Sequence, residues 1–77
     1  MDIIVYTKPA CVQCDATKRS LDKLNLPYST VDVTVDMEAF EMLVNKGFKA
    51  MPVVNAGDEW WSGFNPGKIN ELAEASL

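Results

Sequence analysis

Two cysteines, Cys11 and Cys14, stand three positions apart in Pro9-Ala10-Cys11-Val12-Gln13-Cys14, and the 77-residue chain has no others. A disulfide between them closes so short a loop that chain entropy credits it with only about 2 kcal/mol. Stapled mini-domains rely on several longer loops. The pair is therefore poorly placed to hold a fold together, and redox chemistry accounts for it better. Thiol–disulfide exchange starts from a thiolate, so one sulfur needs a depressed pKa. Cys11 falls between the Pro9 break and the first helical residues. Free backbone N–H groups and the helix dipole favour negative charge there, and Lys8 adds positive potential. Such settings move a thiol from ~8.5 toward ~7 or lower. Cys14, one turn further, shares a helical face with Leu21 and Leu24 and is the more shielded sulfur. That asymmetry makes Cys11 the attacking group and Cys14 the one that resolves the mixed disulfide.

Two other uses of the pair are blander. It can be a buried structural pair with no chemistry. It can also be part of a metal site, but zinc takes four Cys or His ligands, and the chain has no histidine and no third cysteine. A metal or iron–sulfur cluster would need a dimer to pool four thiolates, so no metal is expected.

The elements around the pair read as one α/β unit, residues 1–77 forming a single domain. Ile3-Ile4-Val5-Tyr6 is an unbroken apolar run, the pattern of a strand covered on both faces. Cys14, Thr17, Leu21 and Leu24 then recur at helical spacing, with charged residues between them. Pro27 marks the stop, and Tyr28 to Val33 alternates as a strand. A second helix is predicted over 36–46, with Phe40, Leu43 and Val44 inward and Gly47 at C′. Thr34 and Asp36 are both candidates for its N-cap. Pro52-Val53-Val54-Asn55 reads as a strand, turning through Asn55-Ala56-Gly57-Asp58 into Glu59-Trp60-Trp61. Asn65-Pro66 reads as an N-cap with proline at N1, opening a helix that buries Ile69, Leu72 and Ala73. The order is β-α-β-α-β-β-α. The predicted architecture is a four-stranded mixed sheet, its first two strands parallel and its last two a hairpin, with three helices over both faces. Proline before a strand is simply tolerated there, and cis occurs in only ~5–6% of X–Pro bonds, so spacing alone gives no reason to make Met51-Pro52 cis.

Charge and hydropathy narrow the partners. Net charge is −4 and 48% of residues are hydrophobic, an acidic balance that argues against nucleic acid as the main partner. No apolar run approaches the ~20 residues that cross a bilayer. Met1-Asp2 leads straight into the first strand without a signal-peptide pattern. A reducing, cytoplasmic setting is the expectation.

Several segments together carry a resemblance: Tyr6-Thr7-Lys8, Cys11-Val12-Gln13-Cys14, Ala16-Thr17-Lys18-Arg19, Gly47-Phe48, Pro52-Val53-Val54, Ala56-Gly57-Asp58 and Trp61-Ser62-Gly63-Phe64. On these the chain resembles the NrdH-redoxins, glutaredoxin-like proteins of the thioredoxin superfamily that donate electrons to class Ib ribonucleotide reductase. The resemblance spans nearly the whole length. It implies a thioredoxin-like fold, a redox-active Cys11–Cys14 disulfide and a monomer with no bound cofactor. Electrons would come from NADPH through thioredoxin reductase. It also implies a cis Met51-Pro52 bond, with Met51 offering its backbone to an extended partner segment. Lys8, Val12, Gln13, Met51, Pro52, Trp61, Ser62, Gly63 and Phe64 are the residues expected to meet substrate or partner. Glutathione-using glutaredoxins carry Gly-Gly followed by acidic residues before the last helix. Here the stretch is Ser62-Gly63-Phe64-Asn65-Pro66, with one glycine and no carboxylate. Weak or no glutathione use is expected, although Lys8 can still meet a glutathione carboxylate. Asn65 stands where the family usually has Arg. The adjacent Trp60 and Trp61 must point to opposite faces of a strand, so one of them is expected to be exposed; Trp61 reads more as a core or loop-packing residue than a docking one, and the sequence leaves open which of the two is exposed.

Overall fold

The structure, a computed structural model, describes residues 2–75. Its elements follow the predicted order: β1 (Ile3–Thr7), α1 (Val12–Lys23), β2 (Ser29–Asp32), α2 (Met37–Asn45), β3 (Val53–Ala56), β4 (Glu59–Ser62) and α3 (Pro66–Ala75). The sheet order is β2-β1-β3-β4. β1 and β2 run parallel with Val5 beside Thr30. β3 runs antiparallel to both β1 and β4, aligning Val5, Val54 and Trp61 across the sheet. This is the thioredoxin-like fold, and it explains why the first strand is apolar throughout. β1 lies between two strands and has helices over both its faces, so alternate residues all find cover.

The two faces bury different clusters. On one side Ile3, Val5, Val54 and Trp61 pack with Leu21 of α1 and Ile69 and Leu72 of α3. On the other, Tyr6 and Val53 pack with Leu43 of α2, flanked by Ala39, Met42, Phe48, Met51 and Trp60. Side chains alternate across a strand, and the consecutive tryptophans show it. Trp61 enters the first cluster at 7% exposure. Trp60 lies half-buried on the opposite face, stacked between Tyr6 at 6.0 Å and Phe48 at 6.3 Å, with Lys46 Nζ 4.5 Å from its ring centre. Neither indole is fully exposed, because the aromatic stack shields Trp60.

Local chemistry sets the helix ends. Cys11 caps α1 and Asp36 caps α2, the latter accepting the Ala39 N–H at 3.0 Å. The choice between Thr34 and Asp36 thus resolves to Asp36. Thr34 is occupied otherwise, donating its N–H and hydroxyl to the Asp32 carboxylate at 2.8 and 2.6 Å. Those two bonds hold the Asp32 pKa below its ordinary value. Asn65 caps α3 by accepting the Lys68 N–H at 3.1 Å. Gly47 sits at C′ of α2 with φ +94°, a conformation that glycine adopts without a Cβ penalty.

Three inward assignments from periodicity are corrected. Leu24 is 37% exposed, because it is the C-cap of α1 and the chain leaves the core there. Phe40 and Val44 are 41% and 52% exposed. α2 is only nine residues long and meets the sheet along Ala39, Met42 and Leu43, leaving Phe40 and Val44 on its flank. Leu26, which the helical spacing does not reach, is buried at 8%.

Candidate active site

The strand–loop–helix transition at the end of β1 builds the site. Thr7 ends the strand, Lys8, Pro9 and Ala10 turn outward, and Cys11 is the last residue before α1. Ala10 adopts φ +55°, a left-handed conformation that costs an L-residue about 1–2 kcal/mol. Nothing in an alanine announces it. The turn delivers Cys11 with extended backbone, φ −115° and ψ 107°, so that its sulfur faces the open N-terminus of the helix. The Cys14 N–H donates to Cys11 Sγ at 3.2 Å. Ordinarily an oxygen of Ser, Thr, Asp or Asn fills this role; here a sulfur does. Cys11 and Cys14 are joined as a disulfide with Cα atoms 5.2 Å apart. Cys14 is fully buried, whereas Cys11 keeps 8% of its surface.

Two further segments close around the pair. Met51-Pro52 is cis, and the Met51 carbonyl oxygen lies 3.8 Å from Cys11 Sγ. Beyond β4, Gly63 turns with φ +84° and donates its N–H to the Pro52 carbonyl at 2.8 Å. Ser62 Oγ donates to the Ala50 carbonyl at 3.0 Å, and the Phe64 N–H donates to Gln13 Oε1 at 3.1 Å. The Gln13 carbonyl in turn accepts the Thr17 hydroxyl at 2.8 Å. Residues far apart in sequence are thereby tied into one frame: the Cys11–Cys14 turn, the 50–52 segment and the 62–64 loop. A Cβ on Gly63 would lie 3.3 Å from Gln13 Oε1, so glycine serves both the turn and the close approach.

The sequence-selected residues divide by position. Cys11, Val12, Gln13, Met51, Pro52, Ser62, Gly63 and Phe64 converge on this frame. Val12 is 80% exposed and Phe64 39%, so both present apolar surface beside the disulfide. Lys8 is exposed at the rim and forms no ion pair among the described residues. Trp61 lies in the core cluster with Val5, Leu21 and Val54 rather than on the frame. Its indole N–H is buried without a hydrogen-bond partner among the described residues. The sequence gives no sign of the Ser62–Ala50 and Gln13–Phe64 bonds, since each joins side chain to distant backbone. On the sheet face under α2, burial raises the Tyr6 pKa, with the Asp36 charge adding to the effect. Among the described residues, no group of three or more His, Cys, Asp or Glu is placed to hold a metal.

A thioredoxin-like fold with a Cys-X-X-Cys pair opening its first helix, beside a cis-proline, defines a thiol–disulfide oxidoreductase. The Glutaredoxin family model matches residues 3–61. The glutaredoxin-like protein NrdH of Escherichia coli K12 is 45% identical over 75 residues, 97% of this chain and 93% of that protein. Its counterpart in Salmonella typhimurium is 44% identical over 94% of this chain and 89% of that protein. The solved structure of NrdH-redoxin from Escherichia coli matches with a TM-score of 0.92 at 46% identity, covering 94% of this chain and 95% of that one. The chain belongs to the glutaredoxin family, among its NrdH glutaredoxin-like members, with Cys11–Cys14 as the redox-active disulfide.

Proposed function

We propose that the chain carries electrons to a class Ib ribonucleotide reductase and is re-reduced by thioredoxin reductase, with NADPH as the source. It works as a cytoplasmic monomer, residues 1–77 acting as one domain. The observation that carries this reading is the unequal setting of the two sulfurs: Cys11 Sγ accepts a helix N-terminal N–H at 3.2 Å and keeps some surface, while Cys14 is sealed. In the reduced protein the Cys11 thiolate attacks one sulfur of the partner's disulfide. That S–S bond breaks, a mixed disulfide forms, and the departing partner sulfur takes up a proton. Cys14, deprotonated, then attacks Cys11 Sγ and releases the partner as a dithiol, leaving the Cys11–Cys14 disulfide. Two electrons from NADPH, delivered by the reductase, restore the dithiol.

Lys8, Val12, Gln13, Met51, Pro52, Ser62, Gly63 and Phe64 meet the partner in this reading, and Trp61, packed in the core next to Ser62 in sequence, acts from behind them. Backbone groups of Met51 pair with an extended segment carrying the partner disulfide. The 62–66 stretch, with one glycine and no carboxylate, favours thioredoxin reductase over glutathione as reductant. The described similarity of the Escherichia coli relative to thioredoxin in its activity profile points the same way.

A coupled assay tests this directly. NADPH and thioredoxin reductase should drive disulfide reduction through the protein, and glutathione with glutathione reductase should support far less. Equal or faster turnover with glutathione overturns the reductant assignment. Cys11→Ser should abolish turnover, whereas Cys14→Ser should accumulate a mixed disulfide visible by mass. Alkylation of Cys11 in the reduced protein should titrate below the ordinary thiol value of ~8.5; titration like a free thiol sinks the assignment of Cys11 as nucleophile.

A further inference from the structure

Thr17 is a buried polar side chain that the exchange chemistry above does not use. It is fully buried, and Thr7 is the only other buried residue of polar or charged type among the described residues. The Thr17 hydroxyl donates to the Gln13 carbonyl at 2.8 Å, one turn back along α1. In a regular α-helix the Thr17 N–H reaches that same carbonyl, so the acceptor is served twice. A threonine bonded back to residue i−4 slightly weakens a helix, so helix stability does not account for the hydroxyl. Its neighbour Cys14 does. Thr17 follows Cys14 by three positions, which sets the two Cβ atoms about 5–6 Å apart on one face. Helical side chains lean toward the N-terminus, over the turn before their own. Thr17 therefore lies over the turn of Cys14, and both are fully buried. The face continues into Leu21, whose core cluster has no charged member. Lys18, the cation next to Thr17 in sequence, is paired with Asp15 at 3.5 Å.

As half of a disulfide the Cys14 sulfur is neutral, yet it carries charge at two moments of the exchange. It attacks Cys11 Sγ as a thiolate to release the partner, and it leaves as a thiolate when an incoming thiolate breaks the Cys11–Cys14 bond. Burial without a donor opposes that charge. A hydroxyl has one proton to donate and rotates to suit. We propose that, when the disulfide opens, the Thr17 hydroxyl turns from the Gln13 carbonyl to the Cys14 sulfur and holds the thiolate through a charge-assisted hydrogen bond. The Gln13 carbonyl keeps its helical N–H, so the turn leaves no buried acceptor unpaired. Thr17 retains its own proton throughout, and the proton shed by Cys14 passes to solvent. The proposal rests on the disulfide-reductase reading above and adds the group that makes its second sulfur reactive.

Stopped-flow mixing of the reduced protein with an aromatic disulfide of the dithiobis(nitrobenzoate) type separates the two steps. Attack by Cys11 breaks the probe and releases one coloured thiolate, and closure of the Cys11–Cys14 bond by Cys14 releases the second. Thr17→Val keeps the side-chain shape without the hydroxyl. It should slow the second release about tenfold or more, the scale of one hydrogen bond to a charged group, and the loss should not fall on the first. Thr17→Ser loses a buried methyl but keeps the hydroxyl, and should recover most of the rate. Packing alone ranks the two variants the other way, with valine the better and serine the worse. The proposal is overturned by equal slowing of both releases, by a valine variant that closes as fast as the native chain, or by a serine variant no faster than valine. Failure of the coupled reductase assay with the serine-over-valine order intact counts against the electron-donor reading alone.

Discussion

The Cys11 sulfur closes the N-terminus of α1 while standing as the outer member of the disulfide, and both follow from its place one residue before the helix. This much was legible in the sequence, because Pro9 and the apolar spacing after Cys14 locate the helix start. The frame around the pair was less so. Gly63 was identifiable only through the resemblance, yet its physical reason is local: φ +84° and a Cβ position 3.3 Å from Gln13 Oε1. Gly63→Ala should therefore lower stability by about 1–2 kcal/mol, read as a lower urea midpoint at unchanged slope. Adding Gln13→Ala should relieve the crowding while the backbone cost stays, so the double variant falls short of additivity. A fully additive pair would show that the two residues do not press on each other.

At the scale of elements, order and type were readable throughout, since each helix has a cap or proline at its start and the strands show either an apolar run, as in β1, or alternation, as in β2. Facing was harder. Period 3.6 places Phe40, Leu43 and Val44 on one side of α2, but a nine-residue helix touches the sheet along a narrower line than its apolar stripe. Leu43 is fully buried and Val44 is 52% exposed, so neighbouring truncations should differ sharply. Leu43→Ala should cost about 2–5 kcal/mol through the cavity it leaves, and Val44→Ala no more than about 0.5 kcal/mol. Thermal and urea unfolding of the two variants check this, and comparable losses would mean that α2 packs in another rotation. The cis state of Met51-Pro52 is a different kind of case. Spacing gave no reason for it; the resemblance implied it, and the structure has it.

The whole molecule is a sheet with unlike coats, and its pH response draws on both, since burial also raises the pKa of Tyr28, beside the first cluster, with Asp22 adding to the effect. Tyr6 has its pKa raised from the ordinary 10.0 by burial, with Asp36 adding to the effect. A raised value means that the folded state holds the proton longer. This contribution is complete below pH about 10 and is lost as pH rises through the folded value. Asp32 is the opposite case, lowered from 3.8 by its bonds from Thr34. Its contribution is present above the unfolded value and disappears as pH falls through the folded one. Stability should accordingly hold level through neutrality and decline at both extremes, and phenolate absorbance of a Tyr28→Phe variant should show Tyr6 ionising above its ordinary value. Ionisation of Tyr6 at or below 10 would place its hydroxyl in water. The two neighbouring tryptophans add a consequence of their own. Trp61 is buried among the side chains of α1 and α3, its N–H without a partner among the described residues, and Trp60 lies in an aromatic stack under a lysine on the side of α2. Each coat thus holds one fluorophore in a distinct medium, the first suited to bluer emission and the second open to quenching. Replacing either indole with phenylalanine leaves a single optical reporter per layer, by which loosening of the two coats can be timed separately.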